Sequence, residues 1–353
     1  MSDLQESLSS MTVSEVEPSK NTSLLLELPV DMILEISGHL RETDKICLAL
    51  TCKDLHFILG VKDKKQLKRS SKRSVLLRLE RDIPGVFYCH FCNLIVPFTK
   101  NKPPIVNHFH SIERLRFQTR LVYDIGITLP GSTFVLPYNE ARLVTNYRIL
   151  GPQHGRPPSC LFHQRPSALS SYRDYTQGLN LYYRIFFRGH HYAFFPLADI
   201  RISPQICMKE MWRAKLVGDE LYVSGTRSWV HSGGSDRVLN EYLSQKFLRA
   251  CMHAKLMAGG SNGVNLPTID SWLPNTFRYR RTGSCQFCLT DWDASIEWLG
   301  PRYGRLVTIT TYYNLGNCRS PSDCKWRAMN SIFRNPANRD SPEGAVKAEW
   351  FRE

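Results

Sequence analysis

One segment near the start of the chain restricts the fold most, because its apolar residues follow the period of three short helices. It spans residues 24–59 and reads "LLLELPVDMILEISGHLRETDKICLALTCKDLHFIL". Pro29 suits the first position of a helix, Asp44 favours the start of a second, and Thr51 can cap a third that stops at Gly60. Isolated helices of about ten residues are marginal in water, so these three must pack.

Helical spacing divides the apolar residues of this segment into two sets. The predicted inward faces consist of Ile33, Ile36, Leu40, Ile46, Ala49, Leu50, Leu55, Ile58 and Leu59. Apolar residues off those faces are Met32, Leu34, Leu48 and Phe57. Spare apolar surface of this kind is typical of a site for a partner helix or groove. The alternative is that the three helices form the first layer of the main domain.

Composition places the chain among ordinary folded proteins, with 42% hydrophobic and 22% charged residues over 353 positions. No apolar run approaches the roughly 20 residues that cross a bilayer. The opening "MSDLQESLSSMTVSEVEPSKNTS" has neither the basic nor the apolar region of a secretory signal. We therefore expect an intracellular protein, cytoplasmic or nuclear, with no membrane partner.

The region beyond residue 80 shows strand patterns joined by turns. "ICMKEMWRAKLVGDELYVSGTRSWV" predicts a hairpin about Gly218 and Asp219, and "DASIEWLGPRYGRLVTITTYY" predicts a second. Between them, "SDRVLNEYLSQKFLRACMHAKLM" has the spacing of an amphipathic helix. The whole chain is therefore predicted to be α+β, with small helices followed by a larger domain of antiparallel strands and helices.

Two near-identical motifs, "CHFC" and "CQFC", suggest metal ligands among the eleven cysteines. Together they supply four thiolates, the number that a tetrahedral structural zinc takes, although 192 residues lie between Cys92 and Cys285. The favoured ligand set is Cys89, Cys92, Cys285 and Cys288. Two other sets stay open, as do buried thiols without metal: Cys251 and His253 with Cys285 and Cys288, or His108 or His110 with Cys89 and Cys92. No other cofactor is expected.

The chain is strongly basic, with a formal net charge of +14 and a sequence pI near 9.3. Such a balance favours acidic partners, nucleic acid among them. The one dense basic run, "KDKKQLKRSSKR" from Lys62, is better interpreted as the solvated face of a linker helix. Nucleic-acid binding is therefore an alternative and not the favoured function.

No motif predicts catalysis. Gly259 to Gly263 match the G-x-S-x-G pattern, but the strand before the serine and the helix after it are missing from the pattern of the sequence. His190 and His191 have the surroundings of structural histidines. We expect the chain not to be an enzyme.

The helical segment closely resembles the F-box motif through "LPVDMILEISGHL", Asp44 and "LALTCKDLHFIL". Leu55 stands where many F-boxes carry tryptophan. The resemblance implies docking of a Skp-type adaptor, and through it a cullin, so that the chain would be the substrate-recognition adaptor of an SCF-type ubiquitin ligase. The residues it implies for adaptor binding are Leu28, Pro29, Ile33, Ile36, Leu40, Leu48, Cys52 and Phe57.

The rest of the chain resembles F-box proteins of filamentous fungi through four segments in order: "RLERDIPGVFYCHFC", "ARLVTNYRILGPQHGRPPSCL", "SCQFCLTDWDASIEW" and "TYYNLGNCRSPSDCKWRAMN". This implies a C-terminal domain that binds an unknown protein substrate. The alternatives are a zinc-stabilised basic nucleic-acid-binding protein and an F-box protein that acts outside a ligase. The predicted organisation is a disordered lead-in at 1–22, an F-box at 23–60, a basic linker helix at 61–79, a substrate-binding α+β domain at 80–335 and a tail at 336–353.

Overall fold

A computed structural model describes ten parts of the chain, and all structural statements below concern them. They are residues 24–60, 68–99, 126–128, 135–168, 206–231, 235–245, 248–256, 276, 278–330 and 341–352. The chain divides into two compact units, Met1–Arg78 and Leu79–Glu353.

The first unit contains four helical elements after a short 3-10 turn at Leu24–Glu27. They are α1 (Val30–Gly38), α2 (Glu42–Ala49), α3 (Lys53–Ile58) and the first part of α4 (Arg69–Asp82). Pro29 precedes α1 as its N-cap instead of occupying the first helical position, and its extended backbone sets the direction in which the chain enters the helix.

The cap of α3 differs from the prediction. Thr51 does not cap it, because the Thr51 hydroxyl donates a hydrogen bond back to the Leu48 carbonyl at 2.7 Å. Cys52 takes the place instead, and its Sγ accepts from the Leu55 amide at 3.4 Å. Gly60, with φ of +51°, follows the helix in the left-handed conformation that glycine adopts easily.

A small apolar cluster forms the core of the first unit. Ile33 is only 2% exposed, and it packs in one cluster with Ala49, Leu55 and Leu59. Two residues predicted to face inward, Ile36 and Leu50, are exposed. Six partly buried residues pack against the four of this cluster, and the other apolar side chains of the helices stay outside this small core: the six are Leu25, Leu26, Leu28, Leu48, Cys52 and Ile58.

The second unit is built on a six-stranded antiparallel sheet with strand order β5-β6-β7-β10-β9-β8. Its strands are β5 (His163–Ala168), β6 (Ile206–Val217), β7 (Glu220–His231), β8 (Tyr279–Ser284), β9 (Thr290–Trp298) and β10 (Arg305–Asn314). Four shorter strands form two pairs: β1 (Val86–Cys89) with β2 (Leu94–Pro97), and β3 (Gly126–Thr128) with β4 (Val135–Pro137). The helices are α5 (Tyr138–Ile149), α6 (Asp236–Gln245), α7 (Cys324–Asn330) and α8 (Ala345–Phe351), with a 3-10 turn at Pro158–Leu161.

Both predicted hairpins are present, and the α+β class is confirmed. Strands β6 and β7 meet through Gly218 and Asp219, where the positive φ of Gly218 permits a two-residue turn. Strands β9 and β10 pair from Trp298 with Arg305 onward. The predicted polar tail is an exception, because α8 buries Val346 against Tyr312 of β10.

A buried ion-pair network joins distant parts of the second unit. The Glu80 carboxylate accepts from Arg142 Nε at 2.8 Å and Nη2 at 2.5 Å, from Asn146 at 2.9 Å, from Arg319 at 3.1 Å and from the Tyr88 amide at 3.1 Å. Burial alone would raise the pKa of Glu80, but Arg142 and Arg319 outweigh it and lower the pKa. The carboxylate is therefore the buried charge around which α4, β1, α5 and the segment after β10 are joined.

We expect Glu80→Gln to lower the free energy of unfolding of the second unit by about 3–5 kcal/mol, because Arg142 would keep a buried charge without its partner. Urea denaturation measures the loss. Since the pKa of Glu80 is lowered, its contribution to stability is present above the ordinary carboxyl value of 4.5 and is lost as the pH falls.

Glu241→Gln, in an exposed pair with Arg237, is the control and should change the free energy of unfolding by about 0.5 kcal/mol or less. Equal effects of the two variants would contradict the role of Glu80.

Gly225 gives a second prediction, because a Cβ there would lie 1.8 Å from the Trp212 ring. That ring is fully buried, and its N–H donates to Glu210 at 2.7 Å, so it has no space to move. We expect Gly225→Ala to cost about 3 kcal/mol or more through overpacking. Thr226→Ala, next to Gly225 on β7, removes one hydroxyl contact with Thr310 of β10 and should cost about 1 kcal/mol. Thermal unfolding that ranks the two variants in the opposite order would refute the prediction.

Candidate docking surface and metal centre

The first candidate site is the apolar surface of α1. One helical turn apart, Ile33 and Ser37 form the buried stripe of this helix. Val30 and Leu34 form a pair at the same spacing on one side of the stripe, and both are exposed. The apolar side chains of α1 therefore cover a wider part of the helix surface than the small core of this unit can bury.

Exposed apolar side chains continue on the other side of the buried stripe of α1. Met32 and Ile36 are also one turn apart, and they are 51% and 41% exposed. At the far end of the three-helix segment, Phe57 of α3 is 88% exposed, which is unusual for a phenylalanine in a folded unit. Leu50, which follows α2, adds another exposed apolar side chain. We call these residues the apolar surface of the first unit: Val30, Met32, Leu34, Ile36, Leu50 and Phe57.

The eight residues implied for adaptor binding have different environments. Pro29, Ile36 and Phe57 are exposed, whereas Ile33 is buried in the core and has no surface to offer. The other four are half-buried: Leu28, Leu40, Leu48 and Cys52. Val30 and Leu50 belong to the apolar surface, but the helical pattern did not select Val30 and placed Leu50 inside.

Asp44, which belongs to the F-box resemblance, has an electrostatic role within the first unit. It accepts from Arg41 Nε at 2.9 Å and from Arg78. Arg41 and then Arg78 lower the pKa of the Asp44 carboxyl. At neutral pH the ionised Asp44 carboxylate therefore links the first turn of α2 to Arg78 of α4.

The second candidate site begins at the "CQFC" motif, which forms the connection between β8 and β9. These strands pair up to Ser284 and Asp291. The Cys285 amide donates to the Thr290 carbonyl at 2.8 Å, which closes the turn. Both cysteines of the motif are therefore presented from one tight hairpin, and both are buried.

A second tight turn, residues 248–256, presents Cys251 and His253. It is closed by an isolated antiparallel bridge between Arg249 and Lys255 and by a hydrogen bond from the Leu256 amide to the Leu248 carbonyl at 2.8 Å. The Tyr313 hydroxyl of β10 donates to the Ala250 carbonyl at 2.6 Å. The central sheet therefore holds this turn in place immediately before its cysteine.

The two turns bring Cys251, His253, Cys285 and Cys288 together, and their ligand atoms all lie within 4.8 Å of one another. Cys251 Sγ is 3.8 Å from His253 Nδ1. The three thiols are almost completely inaccessible to solvent. Three sulfurs and one imidazole at these separations could hold a metal ion.

The protonation of the three thiols is strongly linked. Hydrogen bonds from Cys251 and then Cys288 lower the pKa of Cys285. Burial, followed by the contact with Cys285, raises the pKa of Cys251 to about 12, and the contacts with Cys251 and Cys285 raise that of Cys288 well above its usual value. These opposite shifts follow from the close contact of the three sulfurs.

The structure gathers this alternative ligand set and not the favoured one. Cys89 and Cys92 are not members of the cluster and pack in a separate apolar cluster with Phe87, Phe98 and Leu143. Their "CHFC" motif forms the hairpin connection of β1 and β2, with Asn93 at φ +54°. Asn139 donates to Cys89 Sγ at 3.7 Å, and the contact with Cys89 raises the pKa of Cys92.

Several residues considered from the sequence lie outside the described parts of the chain. These are His108 and His110, His190 and His191, Gly259 to Gly263, and the start of the basic run from Lys62. In the sequence, the Cys-x-His spacing of Cys251 and His253 was the signal for the cluster that forms. Nothing local marked Tyr313 as the residue that supports their turn.

Within the ranges that the structure describes, no helix has the length and apolar character needed to cross a membrane. Comparison with protein-family models, curated proteins and solved structures finds no match to this chain.

Proposed function

We propose that this chain is the substrate-recognition adaptor of an SCF-type ubiquitin ligase. The first unit would dock a Skp-type adaptor through its apolar surface, and that adaptor would connect it to a cullin. The chain itself would carry out no chemistry, since ubiquitin transfer would belong to the other subunits. The observation that carries the proposal is the exposure of Phe57 and of both flanks of α1 on a unit whose pattern resembles an F-box.

The first unit has a small core and a large number of exposed apolar side chains. Its core is a small cluster around Ile33, Ala49 and Leu55, whereas six large apolar side chains are exposed. Fully burying a Leu, Ile or Phe side chain contributes about 1.5–3 kcal/mol, so a partner that covers this surface would stabilise the unit and gain affinity. A helical partner with an apolar groove is the chemistry that fits.

The second unit would bind the substrate. It forms a separate compact body with an extended antiparallel sheet, so it can keep its structure while the first unit is engaged elsewhere. A structural zinc ion in this unit would stabilise the substrate-binding domain without taking part in ubiquitin transfer. The recognition surface of this unit would determine which protein is bound as the substrate.

Phe57→Asp should weaken adaptor binding about thirtyfold or more, the effect of losing a large apolar side chain that the partner would bury. The test is co-purification of the tagged full chain with a Skp-type adaptor, followed by titration of the purified pair. Because Phe57 is 88% exposed, the melting temperature of the variant should match that of the wild type. Ile33→Asp is unsuitable, because Ile33 belongs to the core.

The matched control is His56→Asp, which introduces the same charge at the exposed neighbouring position of α3. It should keep adaptor binding within about threefold. Absence of adaptor capture by the wild type, or full binding by Phe57→Asp, would contradict the docking proposal. Capture of the adaptor without a cullin would instead indicate an F-box protein that acts outside a ligase.

A further inference from the structure

We propose that Cys251, His253, Cys285 and Cys288 form a structural zinc site in the second unit. The proposal is independent of adaptor docking, since no residue of the first unit takes part. A Cys3His set is one of the ligand combinations of closed structural zinc sites, which have no open position for a substrate.

The ligand atoms lie within about 1 Å of the spacing of a tetrahedral site. With Zn–S bonds of about 2.3 Å, the sulfurs of a tetrahedral centre lie about 3.8 Å apart. The four ligand atoms lie within 4.8 Å of one another, and Cys251 Sγ and His253 Nδ1 are 3.8 Å apart. Side-chain movements of less than about 1 Å would therefore complete the coordination.

Backbone amides support two of the sulfurs as thiolates. The Ala254 amide donates to Cys251 Sγ at 3.3 Å, and the Phe287 amide donates to Cys285 Sγ at 3.3 Å. Hydrogen bonds to the charged form favour it, and such supporting contacts are typical of metal ligands. Each turn thus donates a backbone hydrogen bond to the sulfur of one of its own cysteines.

The histidine is also oriented as a ligand would be. Its ring packs against Phe287, the aromatic residue inside the "CQFC" motif, with centroids 5.6 Å apart. Nε2 of His253 is buried and has no hydrogen-bond partner among the described residues. Because Nδ1 is the nitrogen that faces Cys251, the ion would bind there, and Nε2 would carry the ring proton and donate it to a bound water.

The charge balance favours a divalent ion with a preference for sulfur. Three thiolates, one neutral imidazole and one divalent ion leave one net negative charge on the site. Two positive side chains bind the backbone of the 248–256 turn: Arg249 donates to the Met252 carbonyl at 3.0 Å, and Arg227 donates to the Arg249 carbonyl at 2.8 Å. Calcium and magnesium prefer oxygen ligands, whereas tetrahedral sulfur and nitrogen sites take zinc.

The competing interpretation treats the three cysteines as small buried apolar residues. It accounts for their burial, but it gives no reason for a histidine whose ring nitrogen lies 3.8 Å from one thiol, or for amides aimed at two of the sulfurs. A metal ion accounts for all three observations together. It would also link two apolar clusters of the unit, because Ala254 packs against both of them.

The first experiment measures zinc in the purified full chain by inductively coupled plasma mass spectrometry after gel filtration. We expect about one zinc ion per chain. Removal by a chelator should lower the melting temperature, and zinc alone should restore it, because binding to the folded state stabilises that state. A chain purified in the presence of zinc that holds none would overturn the proposal.

Variants then identify the ligands. Cys285→Ser and Cys251→Ser should each lower the zinc content at least tenfold, whereas Cys89→Ser combined with Cys92→Ser, which changes the near-identical motif, should retain about one ion per chain. The opposite pattern, with zinc lost from the Cys89 and Cys92 variant and kept in the other two, would also overturn the assignment.

A cobalt experiment guards against variants that fail to fold. Cobalt bound to the wild-type chain should show the visible absorption of a tetrahedral site with thiolate charge transfer. His253→Cys should still bind the ion and strengthen the thiolate band, because four cysteines also make a closed site. Octahedral cobalt spectra, or a thiolate band that is the same in wild type and His253→Cys, would contradict His253 as a ligand.

Discussion

The ion pair of Glu80 with Arg142 is the interaction on which the second unit depends. Both side chains are completely buried, so each would be very unfavourable without the other. Four hydrogen-bonding partners from three different parts of the chain surround the carboxylate, and Arg142 in turn donates to the Arg319 carbonyl at 2.7 Å. The interaction therefore fixes how α4, β1, α5 and the segment after β10 meet. Three of the four segments singled out in the sequence beyond residue 77 contribute a residue to it: Glu80, Arg142 and Arg319.

The remaining segment, "SCQFCLTDWDASIEW", carries Cys285 and Cys288, and the same physical rule applies to it. Buried polar groups and charges are tolerated only with partners. Around Glu80 the partners are guanidinium and amide groups from the protein. Around the three thiols and His253, two backbone amides supply part of the compensation, and a metal ion would supply the rest. The six-stranded sheet supports the second of these places, since Tyr313 of β10 holds the 248–256 turn and β10 pairs with β7 and β9.

In the first unit, several large apolar side chains remain outside the core. Its three short helices share a small core, and six large apolar side chains among its described residues stay exposed. A helix needs only one buried stripe to join such a unit, and Ile33 and Ser37 provide it in α1. The exposed flanks of that helix are thus not required by the fold of the unit itself, which is why we interpret them as a surface for a partner.

Features that depend on neighbouring residues could be predicted from the sequence. Alternating apolar residues and Gly218 predicted the β6–β7 hairpin, and helical spacing predicted the three short helices. Both CxxC motifs likewise form hairpin turns, because their local sequences are nearly the same. Which of the cysteine-containing turns come into contact depends on the tertiary packing. Cys285 faces the turn of Cys251 and His253 and not that of Cys89, since the β10 strand and the packing of α6 on the sheet bring those two turns together. The environments of Ile36 and Glu80 could not be predicted for the same reason. Periodicity places a residue on one face of a helix, but what that face contacts depends on residues far away in the chain.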